Sequence, residues 1–243
     1  MEVNGSRMSK KSNIIVTGGT GRFGKELKKL SNDKYLFPSK KKLDILNPKN
    51  IYKYLKKYKP KYLIHLAGFS RPMIEHEYNI TKSIMLNIIG TSNIVLACAS
   101  LKIKLVYFST SYVYPGSKGN YKESDPVLPC NNYAWSKLGG ESAVHMYKNS
   151  LILRVCMTEK PFIHKSAYAN MKTNFIFHEE IIPMLKKIIN KKGIFNIGGP
   201  SKTVYNFAKK YNPKIKKIYL KKNDIIMPKD SSMNLNKIKQ IIK

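Results

Sequence analysis

Asn13-Ile-Ile-Val-Thr-Gly-Gly-Thr-Gly-Arg-Phe-Gly24 carries a strand through a glycine turn into a helix. Ile14 to Thr17 are mostly β-branched and bounded by glycine, which suits a short strand buried on both faces at the start of a parallel sheet. Gly18, Gly21 and Gly24 fall three apart. Beyond them Phe23, Leu27 and Leu30, with Lys25, Lys28 and Lys29 between, repeat as the buried face of a helix does. This order is a phosphate-binding design. The first glycine permits the tight turn, the second lets a pyrophosphate approach the backbone, and the third brings helix and strand together. The helix N-terminus adds unpaired N–H groups and a partial positive charge. A P-loop is disfavoured, because Gly24-Lys25 is followed by Glu26 and not by a hydroxyl residue.

The chain of 243 residues, 42% hydrophobic, has the size and composition of an ordinary globular protein. Its formal charge of +31 raises nucleic acid or an anionic membrane as partners. The excess, however, is nearly all lysine and is spread along the chain, with arginine only at Arg7, Arg22, Arg71 and Arg154. Groove readers lean on clustered arginine, so nucleic acid is disfavoured and anionic small molecules are preferred. Cys98, Cys130 and Cys156 follow no metal or redox spacing, and the five histidines form no ligand pattern. Neither a disulfide framework nor a metal site is expected. Met1 to Lys11 is polar and lacks the apolar core of a signal peptide. Ser83 to Ser100 carries no charge, but Asn87, Gly90 and Asn93 make it a buried helix sooner than a membrane span. A cytoplasmic location follows from this reading.

Along the chain, strands and helices alternate. Tyr35-Leu36-Phe37 reads as a second strand whose tip is Pro38-Ser39-Lys40. An acidic residue there would favour a free ribose 2′-hydroxyl. Ser39 and Lys40, with Arg22, instead suggest a 2′-phosphate pocket and NADP, with NAD as the second option. Asp44 is placed either to accept from an adenine amine or to cap its own loop. Asn47-Pro48 opens the next helix. Tyr62 to Gly68 is a strand ending in small residues, and Ile103 to Phe108 a strand delivering Ser109, Thr110 and Ser111. A helix near Tyr133 is predicted with Trp135, Leu138 and Val144 on its apolar positions, and a strand from Leu151 to Val155 closes the alternation. Helices are also predicted over Phe175 to Ile189, Val204 to Tyr211 and Leu235 to Ile242, and a strand and turn over Gly193 to Pro200. The expected fold class is α/β: a Rossmann-type doubly wound parallel sheet over residues 12–155, with a small, shortened C-terminal substrate lobe over 156–243.

Tyr133 and Lys137 lie one helical turn apart on a shared face. An ammonium beside a tyrosine lowers the phenol pKa from about 10 and fits it for proton transfer. Six Tyr-x-x-x-Lys pairs occur, so spacing alone decides nothing. Only the Tyr133 pair opens a helix after a strand that ends in hydroxyls.

Thr17 to Gly24, Asn87 with Gly90-Thr91 and Asn93, Phe108-Ser-Thr-Ser-Tyr-Val-Tyr114 and Tyr133-Ala-Trp-Ser-Lys137 together resemble the extended short-chain dehydrogenase/reductases. Within that superfamily, which includes the NAD-dependent epimerases and dehydratases, the chain is most similar to the dTDP-4-dehydrorhamnose reductase branch. The resemblance implies that Thr110 bonds the substrate carbonyl, Tyr133 moves the proton, and Lys137 holds the nicotinamide ribose and lowers the tyrosine pKa. It implies that Gly18, Gly21 and Gly24 pack on the pyrophosphate, that Asp44 meets the adenine, and that Ala67 and Gly68 line the cleft. Arg22, Phe23, Ser39, Lys40 and Asn87 complete the expected cofactor set. The implied substrate is a nucleotide sugar with a keto group. The alternatives are an epimerase on the same site or a non-catalytic NADP-binding sensor or regulatory protein. A homodimer paired through helices flanking the sheet is also implied. Two departures stand out. Ser111-Tyr112 replaces the acid pair of the dehydratases and the Asp-Tyr of the reductases, and only about 40 residues separate Val155 from Gly198.

Overall fold

The computed structural model describes residues 13–31, 34–221 and 226–242. The polar start, Met1 to Ser12, lies outside the described residues.

Six parallel strands form one sheet in the order Gly193–Ile197, Ser150–Val155, Lys104–Thr110, Tyr62–His65, Ile14–Thr17, Tyr35–Leu36. Their residues alternate between two cores, as the strand period of two requires. Ile15, Leu63, Leu105 and Ile152 point to one side, against Ile51 and Leu55 of the helix Pro48–Tyr58 and Ile94 and Cys98 of the helix Ile80–Ser100. Val16, Ile64, Val106 and Leu151 point to the other, against Phe23 and Leu27 of the helix Arg22–Lys29 and Ile181 and Leu185 of the helix His178–Ile188. Burying each such side chain contributes roughly 1.5–3 kcal/mol before chain entropy is counted. Strand order reverses at Ile14–Thr17, whose neighbours are the second and third strands of the chain. A ligand crevice in an open α/β sheet lies at such a reversal, outside the carboxyl ends of the strands.

The structure adds a strand that the sequence reading had left in the lobe. Gly193–Ile197 pairs with Ser150–Val155 in parallel and completes the sheet, so the sheet draws on chain beyond residue 155. The helix expected over Phe175 to Ile189 starts at His178, because Ile176–Phe177 pairs as a strand with Met157–Thr158. A third core, around Phe162, Met171, Phe177 and Phe207, holds the remaining lobe together.

The helix that holds the uncharged stretch Ser83 to Ser100 begins at Ile80 and takes in Lys82, and among the described residues it is the one helix long and apolar enough to cross a membrane. Gly90, Thr91, Ile94, Val95, Ala97 and Cys98 are buried in the fold. Its segment Ile84–Ile89 is a π-helix, which turns Asn87 inward. Trp135, expected at an apolar core position, is instead 49% exposed. It lines a cavity of about 440 Å³ with His76, Ile84, Asn132, Leu138 and Ser142.

A charged network crosses the sheet. Arg154 donates to Glu141 Oε1 from Nη2 at 2.6 Å and from Nε at 3.0 Å, Ser109 donates to the other oxygen of Glu141, and Arg154 Nη1 donates to the Tyr114 hydroxyl at 2.8 Å. Tyr114 in turn donates to Asn196 at 2.8 Å, which ties the last strand to the helix Asn132–His145.

Candidate active site

Gly18 has φ +72°, a left-handed conformation open to glycine, and a Cβ there would stand 2.5 Å from Ala67 N. A Cβ on Gly24 would stand 2.5 Å from Gly18 O. These two glycines let the turn, the helix and the end of the third strand close on one another. Gly21 differs, because its Cβ would meet nothing nearer than Gly18 O at 3.2 Å. It precedes the helix Arg22–Lys29, whose N-terminus has no side-chain cap. Open backbone and uncapped N–H groups suit an anion there. Phe23 offers only its backbone, since its ring packs on Phe108 and His178.

The adenosine side is less assembled than expected. Ser39 and Lys40 are exposed beyond the second strand. One Asp44 oxygen accepts from Leu46 N at 3.0 Å, which is the local capping arrangement. Arg22 does not join Ser39 and Lys40. It turns to the other end of the crevice, where Nε lies 3.0 Å from Glu159 Oε1 and Nη2 donates to Ser70 Oγ at 3.5 Å.

Ala67 N donates to Thr17 Oγ1 at 3.3 Å, and Gly68 lies so near Asn87 that a Cβ would stand 2.7 Å from its Oδ1. Asn87, expected among the cofactor contacts, is buried with its amide committed to protein. It accepts from Phe69 N at 2.7 Å and donates to Phe69 O and Ser136 Oγ at 2.8 Å each. Ser136 donates to Tyr133 O at 2.7 Å. Asn87 therefore ties the Ala67–Phe69 loop to the helix that carries Tyr133.

Thr110 ends the strand Lys104–Thr110, and its Oγ1 accepts from Tyr112 N at 3.3 Å. The Thr110 hydroxyl lies close enough to the Tyr133 phenol to draw its pKa down. Tyr133 sits in the first turn of the helix Asn132–His145, which Asn131 caps by accepting from Ala134 N at 2.9 Å. The expected fall in the tyrosine pKa is corrected by its surroundings. Burial raises it, while the Thr110 side chain and the charges of Arg71 and Arg22 pull the other way. Lys137 Nζ stands 4.3 Å from the centre of the Tyr107 ring. Burial brings Lys137 down to about 7, opposed by Glu141. Burial, with the charge of Lys137, brings His65 down to about 3, so its imidazole is neutral between Thr17 and Thr91.

Lys104 is likewise brought down to about 8, first by burial and then by Lys192. Both lysines bind their proton less tightly folded than unfolded. From about pH 7 to about pH 10 the unfolded chain therefore holds more protons, and stability rises with pH. The urea midpoint is expected to be higher at about pH 8 than at about pH 7, below the range in which the buried thiols Cys98 and Cys156, whose pKa burial raises, oppose the rise. A fall between those two pH values would contradict the burial of these two ammonium groups.

Sequence reasoning passed over Arg71 and Glu159. Arg71 Nη1 lies 3.4 Å from Glu159 Oε1, the oxygen that Arg22 also holds. A signal was present: in a chain with 45 basic residues, arginine occurs four times, so each instance marks a place where a planar fork is useful. Arg22, Arg71 and Arg154 all meet carboxylates.

A family model described as RmlD substrate binding domain matches residues 12–173, more than half of the chain. The chain belongs to the RmlD substrate binding domain family. A dTDP-4-dehydrorhamnose reductase of Aggregatibacter actinomycetemcomitans is 29% identical over 151 residues, 60% of this chain and 51% of that protein. Methionine adenosyltransferase 2 subunit beta of Xenopus tropicalis is 29% identical over 152 residues, 58% of this chain and 45% of that protein. The chain thus spans about half the length of the curated relatives it matches. The dTDP-4-dehydrorhamnose reductase of Bacillus anthracis, solved in complex with NADP, superposes with a TM-score of 0.84 at 24% identity, over 95% of this chain and 91% of that one. That likeness establishes the Rossmann-like α/β fold of this family member and extends into its C-terminal lobe.

Proposed function

We propose that this protein binds NADP(H) across the carboxyl ends of the sheet and reduces a keto group on a nucleotide-linked sugar. The observation that carries the reading is the placement of Thr110, at the end of a central strand, close enough to Tyr133 to act on its phenol, in the crevice that opens at the glycine turn. The open face of Gly21 and the uncapped helix fit a pyrophosphate held by backbone N–H groups. Ala67 and Gly68 would line the cofactor, Asp44 would face the adenine, and Ser39 and Lys40 would meet a 2′-phosphate. Asn87 acts through the loop it holds. When bound, the cofactor supplies the hydride. Thr110 donates to the carbonyl oxygen and polarises it, and Tyr133 transfers its proton to that oxygen. A phenol with a raised pKa is neutral near pH 7, the form a reductase needs at the start. An epimerase needs the phenolate first, and a dehydratase needs the acid pair that Ser111-Tyr112 replaces. In this reading the sheet half binds cofactor, and the lobe around Phe162 and Phe207 receives the sugar.

The likeness to methionine adenosyltransferase 2 subunit beta supports a second reading, a cofactor-binding regulatory subunit without turnover. Calorimetric titration with NADPH and NADH, with and without a panel of nucleotide sugars, separates the two. NADPH binding strengthened by one sugar, with oxidation of NADPH at 340 nm, supports the reductase. NADPH binding indifferent to every sugar supports the regulatory subunit, and no binding of either cofactor removes both.

The reading includes a dimer paired through the helix Ile80–Ser100 and the helix Asn132–His145. Ile80, Ile84, Leu96 and Trp135 are exposed there in a chain otherwise crowded with lysine. Sedimentation velocity of the same sample checks it, and a monomer at about 50 μM would rule out a stable pair.

A further inference from the structure

Glu159, Arg22 and Arg71 come from three separate parts of the chain: the segment after Met157–Thr158, the first turn of the first helix and the loop after the third strand. One carboxylate oxygen, Glu159 Oε1, lies 3.0 Å from Arg22 Nε and 3.4 Å from Arg71 Nη1. The Glu159 side chain is 15% exposed, while those of Arg22 and Arg71 are 41% and 35% exposed. The carboxylate is therefore covered and the two guanidiniums open outward. A guanidinium carries five N–H donors in a rigid fork; Glu159 meets Nε of Arg22 and Nη1 of Arg71, and Ser70 Oγ accepts from Nη2 of Arg22. The remaining fork geometry matches a planar or tetrahedral oxyanion.

We propose that Arg22 and Arg71 form an anion subsite at the tyrosine end of the crevice for a phosphate or diphosphate group, and that the Glu159 carboxylate competes with that group for both arginines. Three features favour a phosphate-class ligand over a purely structural ion pair. Both arginines stand near enough to Tyr133 to act on its charge, which puts the subsite at the tyrosine end of the crevice. The first of them follows Gly21, at the uncapped helix N-terminus. The local balance is two guanidiniums to one carboxylate, so a positive charge remains for a ligand to neutralise. Glu159 keeps the pair from collecting anions indiscriminately, because an incoming oxyanion must outbid a preformed ion pair. This inference rests on the nucleotide reading above, in which cofactor and substrate each carry a diphosphate.

The test is calorimetric titration of wild type, Glu159→Gln and Arg71→Gln with inorganic pyrophosphate, NADPH and thymidine diphosphate, with melting curves for each variant. Glu159→Gln is expected to tighten pyrophosphate binding about fivefold, the scale of a partly exposed ion pair. Arg71→Gln is expected to weaken it by a similar factor. If the change in Glu159→Gln is seen with NADPH, the subsite serves the cofactor; if it is seen with thymidine diphosphate, it serves the substrate. Pyrophosphate affinity that is unchanged or weaker in a folded Glu159→Gln protein overturns the competition. Unchanged affinity in Arg71→Gln overturns the subsite even if the first variant does not fold. Failure of wild type to bind NADPH or thymidine diphosphate would remove the nucleotide reading, while the pyrophosphate arm would still decide the subsite.

Discussion

Tyr133→Phe is expected to lower turnover by about two to four orders of magnitude while leaving NADPH affinity within about threefold. The substitution removes one oxygen. Phenylalanine keeps the ring that meets His76 edge to face at 5.1 Å between centroids and Tyr112 at 6.3 Å, so the helix start keeps its packing. What is lost is the proton donor and its interaction with the Thr110 side chain. Thr110 can still polarise a carbonyl, which leaves a residual rate. The raised pKa of Tyr133 adds a second expectation: the phenol stays protonated through neutral pH, so its own ionisation lowers the reduction rate only on the alkaline side. Stopped-flow oxidation of NADPH with a responsive nucleotide sugar measures both. Unchanged turnover in the variant would exclude Tyr133 as the acid and turn attention to a cofactor-binding regulatory role.

Glu141→Ala is expected to destabilise the fold by about 3–5 kcal/mol, because it strands the charge of Arg154 inside the protein. The two side chains are 4% and 5% exposed and meet at 2.6 Å. Arg154, with its side chain 5% exposed, has little solvent to replace the carboxylate, and Ser109 loses its acceptor as well. Against a total stability of roughly 5–15 kcal/mol, the loss brings the protein near unfolding at ambient temperature. Arg154→Met combined with Glu141→Leu should recover most of it, since removing both charges also removes the cost of burying them. Urea unfolding of the two single variants and the pair gives the coupling. Equal loss in the single variant and in the apolar pair would show that packing volume, and not charge, is what the site requires. Tyr114 and Asn196 continue the network from Arg154, so the single variant should also loosen the last strand, visible as faster amide exchange at Ile194 to Ile197.

Most of the sheet could be read locally. Ile14 to Thr17, Tyr62 to His65 and Lys104 to Thr110 are strands because β-branched and aromatic residues run between turn signals. The cap at Asn47 with Pro48 behind it needs only its own turn, and its side chain accepts from Asn50 N as such a cap does. Gly193–Ile197 was readable as a strand but not as a member of this sheet, since nothing inside the segment names its partner. Helical period puts Trp135 on an apolar position with Leu138 and Val144, yet which face of a helix is covered depends on what lies beside it.

The candidate site divides in the same way. Chemistry carried by neighbours in sequence was determined by the sequence itself. The glycine spacing, the hydroxyls that end a strand, and Tyr133 one turn from Lys137 each follow from local geometry that the backbone period enforces. Tertiary structure alone decided what depends on distant neighbours and on burial. It turned Arg22 from the adenosine end toward Glu159, committed Asn87 to the Phe69 loop, and set the Lys137 ammonium over Tyr107. It also reversed the expected shift of Tyr133, because desolvation outweighs the charges around the phenol, and desolvation is a property of everything packed against a group, not of the residue four positions along.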